Sequence, residues 1–144
     1  MKILSIHDGH NASAAVIKDG KILSAVSEER LNRVKLFAGW PQRAIDLTLK
    51  LAGINLKEID VVSVSHLGTF SYIKRKFSIY ASAKPTVVLE HLYHIYIVAK
   101  RELKIRRFIK PFGKKRFFFC DHHLGHAASA YYCSGFDDAL VINH

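Results

Sequence analysis

An α/β fold built on a mixed sheet is what this sequence predicts, on three observations. Residues 2–28 hold three short apolar runs, "KILSI", "SAAVIKD" and "KILSAVS", the last two separated by Asp-Gly. A helical stretch, "WPQRAIDLTLKLAG", is followed by a β-branched run, "IDVVSVS". The same alternation returns near the end of the sequence, as "RFFFC", "HHLGHAASAYYCS" and "ALVIN". At 144 residues and 49% hydrophobic, the chain is long and apolar enough to bury one core.

Each element follows from local chemistry. "KDGK" between apolar runs is a hairpin signal, because Gly tolerates positive φ, so residues 2–28 are expected as a three-stranded antiparallel meander. The loop "HDGHNA" joins its first two strands, and "EERLNRVKLFAG" reads as a loop or short turn. In the next stretch Pro41 suits a first helical position, Ala44, Leu47 and Leu51 fall on one face, and Gly53 supplies the stop. "IDVVSVS" is a strand by its β-branched content, which completes a strand–helix–strand unit. Residues 69–110 are the least legible; "TVVLEHLYHIYIVAKRELKIRRFI" is expected as one long helix. "RFFFC" then reads as a strand, "HHLGHAASAYYCS" as a helix and "ALVIN" as a final strand.

Composition excludes several classes. No run of eighteen apolar residues is present, so no membrane span is expected, and the start "MKILSIHDGH" lacks the apolar core of a secretory signal. A cytoplasmic chain is therefore expected, with Cys120 and Cys133 as buried thiols rather than a disulfide. The formal net charge is +10, and residues 100–116 hold nine of the 22 Lys and Arg against one acid, Glu102. Such a run suits phosphate, nucleic acid or an acidic partner, or simply a solvated helix. No stacking aromatics are interleaved in a nucleic-acid motif, which favours the solvated helix.

Three segments carry candidate chemistry. His122 and His126 stand four apart, on one face of a helix and one turn from each other, as two imidazole ligands of a divalent metal would. On spacing alone a solvated or packed helix end fits equally well. Asp121 before them suits a helix cap or a partner orienting a ligand ring. In "HDGHNAS", a turn carrying Asp8, Gly9, Asn11 and Ser13 offers backbone N–H groups and a hydroxyl to a phosphate, with His7 and His10 able to orient or protonate an oxyanion. A polar turn without ligand is the plainer alternative. In "SEERLNRVK", Arg30, Arg33 and Lys35 could hold a phosphate or carboxylate, or form a solvated loop. His66, His91 and His94 show no partner in the pattern.

Taken in order, "HDGHNASAAVIKDGKILSAVSEERLNRVK", "GWP" before a helix, and "DHHLGHAASAYYCSGFDDALV" resemble the O-carbamoyltransferase family of nodulation and aminoglycoside-tailoring enzymes. The resemblance implies one lobe of an actin-like ATPase fold of the sugar-kinase and heat-shock type. It implies metal- and ATP-dependent transfer of a carbamoyl group from carbamoyl phosphate, through a carbamoyl-adenylate, to a small-molecule hydroxyl. By the same resemblance His122 and His126 are metal ligands, with iron as the metal. Asp8, Gly9, Asn11 and Ser13 form the cofactor-binding turn, and His10 and Lys35 are catalytic. The family's glycine-rich second turn, third metal ligand, second lobe and C-terminal domain have no counterpart in residues 1–144. The expectation is thus an incomplete N-terminal lobe, inactive alone: a truncated product, a nonfunctional remnant, or one piece of a split enzyme that a complementary chain would complete. A noncatalytic basic module for nucleic acid or an acidic protein is the alternative.

Overall fold

Alternating apolar and polar residues decide which face of each strand is buried. The computed structural model describes residues 1–65, 85–112 and 117–142. The chain divides into two compact units, Met1–His66 with Phe117–His144, and Leu67–Arg116.

In the first unit, β1 (Lys2–His7), β2 (Ser13–Lys18) and β3 (Lys21–Ser27) form the expected meander. Lys2 pairs with Lys18 and His7 with Ser13, while a bulge between Val16 and Ile17 shifts the register against β3. Asp19 (φ 50°) and Gly20 (φ 78°) both adopt the left-handed region, the backbone that lets a two-residue turn match strand twist. Leu4 and Ile6 of β1 and Ala14 and Val16 of β2 are buried, whereas His7 and Ser13 belong to the opposite face.

A single helical turn, α1 (Glu29–Asn32), lies in the stretch expected as a loop or short turn, and α2 (Gln42–Ala52) follows, closed by Gly53 at φ 64°. The buried face of α2 differs from the expected one. It consists of Ala44, Ile45, Thr48 and Leu49, while Leu51 is 62% exposed. The small residues are inside because α2 packs closely on β2 and β3, and Ser24 Oγ donates to the Thr48 carbonyl at 2.7 Å. Each buried Leu or Ile contributes about 1.5–3 kcal/mol, so Ile45 and Leu49 are the main apolar anchors. A 3₁₀ turn at Leu56–Glu58, with a capping box on Asn55, leads into β4 (Val61–Ser65).

β4 pairs parallel to β1, and β5 (Phe117–Cys120) parallel to β4, giving the sheet order β3-β2-β1-β4-β5. This mixed sheet, meander plus parallel strands, is compatible with one lobe of an actin-like ATPase fold.

The second unit contains α3 (Pro85–Ile109) and a 3₁₀ turn at Lys110–Phe112. The long helix expected there is present; the remainder of the weakly legible stretch, 69–84, lies outside the described residues. Lys100, Lys104 and Arg107 share one helical face, and Arg106 is held by Glu102 at 2.6 Å.

After β5, α4 (His122–Ser134) starts on Asp121 and ends at Gly135 (φ 76°). The expected final strand is absent over 139–142, which is irregular, with Leu140 89% exposed; Asn143 lies outside the described residues. A short apolar run becomes a strand only by pairing, and no partner strand meets it among the described residues. Both cysteines are free thiols, but only Cys120 is half-buried; Cys133 is exposed.

Candidate functional site

The cleft arises from chain direction. β1, β4 and β5 are parallel, so their C-terminal ends lie on one sheet edge, where His7, Ser65 and Cys120 stand in register. Ser13, opposite His7, extends this row into β2. Whatever follows these strands collects at that edge, the usual ligand position in sheets of this kind.

The loop after β1 is fixed at several points. Ala12 is fully buried; its N–H donates to the Phe37 carbonyl at 3.0 Å, and its carbonyl accepts from Glu28 N–H at 2.9 Å. Asn11 takes φ 60°, a conformation its short amide side chain tolerates better than most. His7 Nε2 donates to the His10 carbonyl at 3.0 Å. Gly9 is needed for that bond, because a Cβ there would lie 2.7 Å from His7 Cε1 and 2.8 Å from Nε2.

On the other side, Asp121 caps α4 by accepting from His123 N–H at 2.9 Å and Leu124 N–H at 3.2 Å. This is the cap, one of its two expected roles. His126 follows one turn later, beside Ser129, whose hydroxyl donates to the His126 carbonyl at 2.9 Å.

Between these elements lies an open cleft of about 640 Å³, lined by His7, His10, Asn11, Ser13, Ser65, Gly125, His126 and Ser129. The structure therefore brings five expected residues together: His7, His10, Asn11, Ser13 and His126. Asp8 is buried, 1% exposed, and Gly9 acts through the space it leaves for His7. Lys35 lines a separate recess of about 270 Å³ with Glu29, Arg30 and Arg33. The backbone of His122 opens α4, but its side chain lies outside the described residues. Among the described residues no three His, Cys, Asp or Glu side chains gather as metal ligands.

Ser65 and Ser129 are additions that sequence reasoning did not single out. No local signal marks Ser65, whose place depends on the β1–β4 register, and Ser129 sits in a run that reads as plain helix packing. Glu28, read as part of a charged loop, is buried, and its carboxylate accepts from Ala44 N–H at 2.7 Å. It caps α2 from sixteen residues away.

The cleft is thus lined by imidazoles, hydroxyls and one amide, hydrogen-bonding groups suited to oxygen-rich ligands. Fold and cleft together define a mixed α/β lobe with a polar cleft at the strand ends. The family model described as Carbamoyltransferase N-terminus matches residues 2–143, and the chain belongs to that family.

The relatives agree. The chain is 33% identical over 138 residues to nodulation protein NolNO of Sinorhizobium fredii, covering 92% of this chain and 19% of that protein. It is 34% identical over 142 residues to an uncharacterized protein of Synechocystis sp., covering 92% and 23%. An uncharacterized protein of Methanocaldococcus jannaschii is 36% identical over 107 residues, covering 71% and 20%. The chain spans about a fifth of the length of these curated relatives. No helix among the described residues is long and apolar enough to cross a membrane.

Proposed function

We propose that the cleft is the phosphate-facing half of a carbamoyl-transfer site, serving ATP- and metal-dependent transfer from carbamoyl phosphate to a small-molecule hydroxyl. The observation that carries this reading is that His10, Asn11 and Ser13 share one cleft with His126, more than 110 residues away in sequence. Asn11 and Ser13 donate to phosphate oxygens, and His10 handles the proton of the attacking hydroxyl. Asp8 and Gly9 shape the turn, and Lys35, in its separate recess with Arg30 and Arg33, is a basic group of the carbamoyl-transfer site only by family resemblance.

The donor set fits a divalent metal in part. His126 lines the cleft, and His122 starts the same helix one turn earlier, a spacing that suits two imidazole ligands and leaves further positions open. His122 and His126 would hold the ion, iron by family resemblance, and its chemistry there is to polarise phosphate oxygens. The remaining groups belong to the part of the family's length that residues 1–144 do not span.

The test combines this chain with a polypeptide supplying the rest of a family member, carbon-14 carbamoyl phosphate, ATP, ferrous iron and a hydroxyl acceptor. Label is expected in a carbamate ester, falling about a hundredfold or more in His10→Ala. Ferrous iron binding to the chain alone, read by calorimetry, is expected to fall in His126→Ala and not in Lys50→Ala. Equal labelling by wild type and His10→Ala would remove the catalytic assignment. Equal iron content in all three proteins would remove the metal.

A further inference from the structure

We infer that His7 is a positioning residue of the cleft, holding the 8–11 turn through its bond to the His10 carbonyl. A carbonyl can only accept, so the 3.0 Å contact makes His7 Nε2 the donor of this bond. His7 is also the centre of the cross-strand row Ser13–His7–Ser65, two of whose members line the cleft with it. Gly9 completes the device, since any side chain there would occupy the space of the ring.

The other anchors of the loop act elsewhere. Both backbone bonds of Ala12 secure the end of the loop next to β2, and the strand pairing of His7 secures its start. Between them, the His7 ring bond braces the segment that carries His10 and Asn11. Removing it leaves the sheet and the Ala12 bonds in place while freeing the residues that face the ligand. This inference rests on the cleft being an anion site, and deepens that reading by naming what sets its shape.

The reach of the donor gives the test. A glutamine amide nitrogen lies about where Nε2 lies, whereas an asparagine amide stops near the Nδ1 position. His7→Gln is therefore expected to restore the bond and His7→Asn to lose it. In the intact 144-residue chain, the amide resonances of His10 and Asn11 are expected to match wild type in His7→Gln and to shift in His7→Asn. Gly9→Ala should shift the same resonances and add little in a His7→Asn background, because both changes remove one interaction. Inorganic pyrophosphate is expected to bind His7→Asn about tenfold more weakly than His7→Gln, at equal melting temperature. Unmoved His10 and Asn11 resonances in His7→Asn would overturn the role of His7. Wild-type protein that leaves pyrophosphate unbound while those resonances respond as expected would instead count against the anion-site reading.

Discussion

At residue scale, backbone conformation and a few surface charges carry testable consequences. Leu36 holds φ 54° with its side chain 65% exposed, so it bears the steric cost of the left-handed region and gains little burial in return. Its backbone N–H donates to Glu29 at 3.0 Å, a bond any replacement but proline keeps. Leu36→Asn is expected to raise stability by about 0.5–1 kcal/mol, read as a higher urea midpoint; a lower midpoint would refute the strain. Near the hairpin, the N-terminal ammonium donates to Asp19 and holds its carboxyl below the ordinary 3.8, while Lys2 does the same to Glu58 below 4.5. Both folded values are depressed, so their stabilisation is present above the unfolded values and is lost as pH falls through the folded ones. Carboxyl carbon-13 titration of Asp19 should give a midpoint under 3.8. Asp19→Asn should flatten stability against pH below about 4. Both pairs are exposed, so the effect is small.

At the scale of elements, the extent of most was legible and their contacts less so. The helix of residues 42–52 is announced by its proline and glycine ends, which are local signals. Its buried face was not legible, because the leucines are drawn to no specific surface until β2 and β3 are in place. The sheet then selects Ala44 and Thr48 for close approach. Glu28 shows the same limit: in sequence it is one charge among several, and only the fold sets it beneath the start of α2. Removing it leaves the Ala44 N–H without its acceptor, which costs about 1–3 kcal/mol. Glu28→Ala is thus expected to be destabilised by about 2 kcal/mol, and Glu28→Gln, which can still accept through its carbonyl oxygen, by less. Equal melting of the two variants would show that the cap is not the source of stability.

At the scale of the whole molecule, the site depends on a crossover that local pattern cannot reveal. Spacing places His122 and His126 one turn apart, but only the parallel order β1-β4-β5 brings the helix after β5 to the loop after β1. From the residues alone these were two weak motifs; the family resemblance, through their order, was the one sequence signal that joined them. The same arrangement leaves much apolar surface uncovered around α4 and beyond it. Tyr132 is 81% exposed, Leu140 89% and Ile142 82%, and Phe118 and Phe119 of β5 are half or more exposed. Burying one such leucine or isoleucine is worth about 1.5–3 kcal/mol, so association offers more than surface solvation does. The chain is expected to sediment with a coefficient that rises with concentration. Leu140→Ser with Ile142→Ser should shift that rise to concentrations about tenfold higher or more, since the lost burial exceeds the energy of a tenfold change. A coefficient independent of concentration in the wild type would show that these side chains are satisfied in water. In that case the irregular stretch 135–142 folds over its own apolar groups in solution.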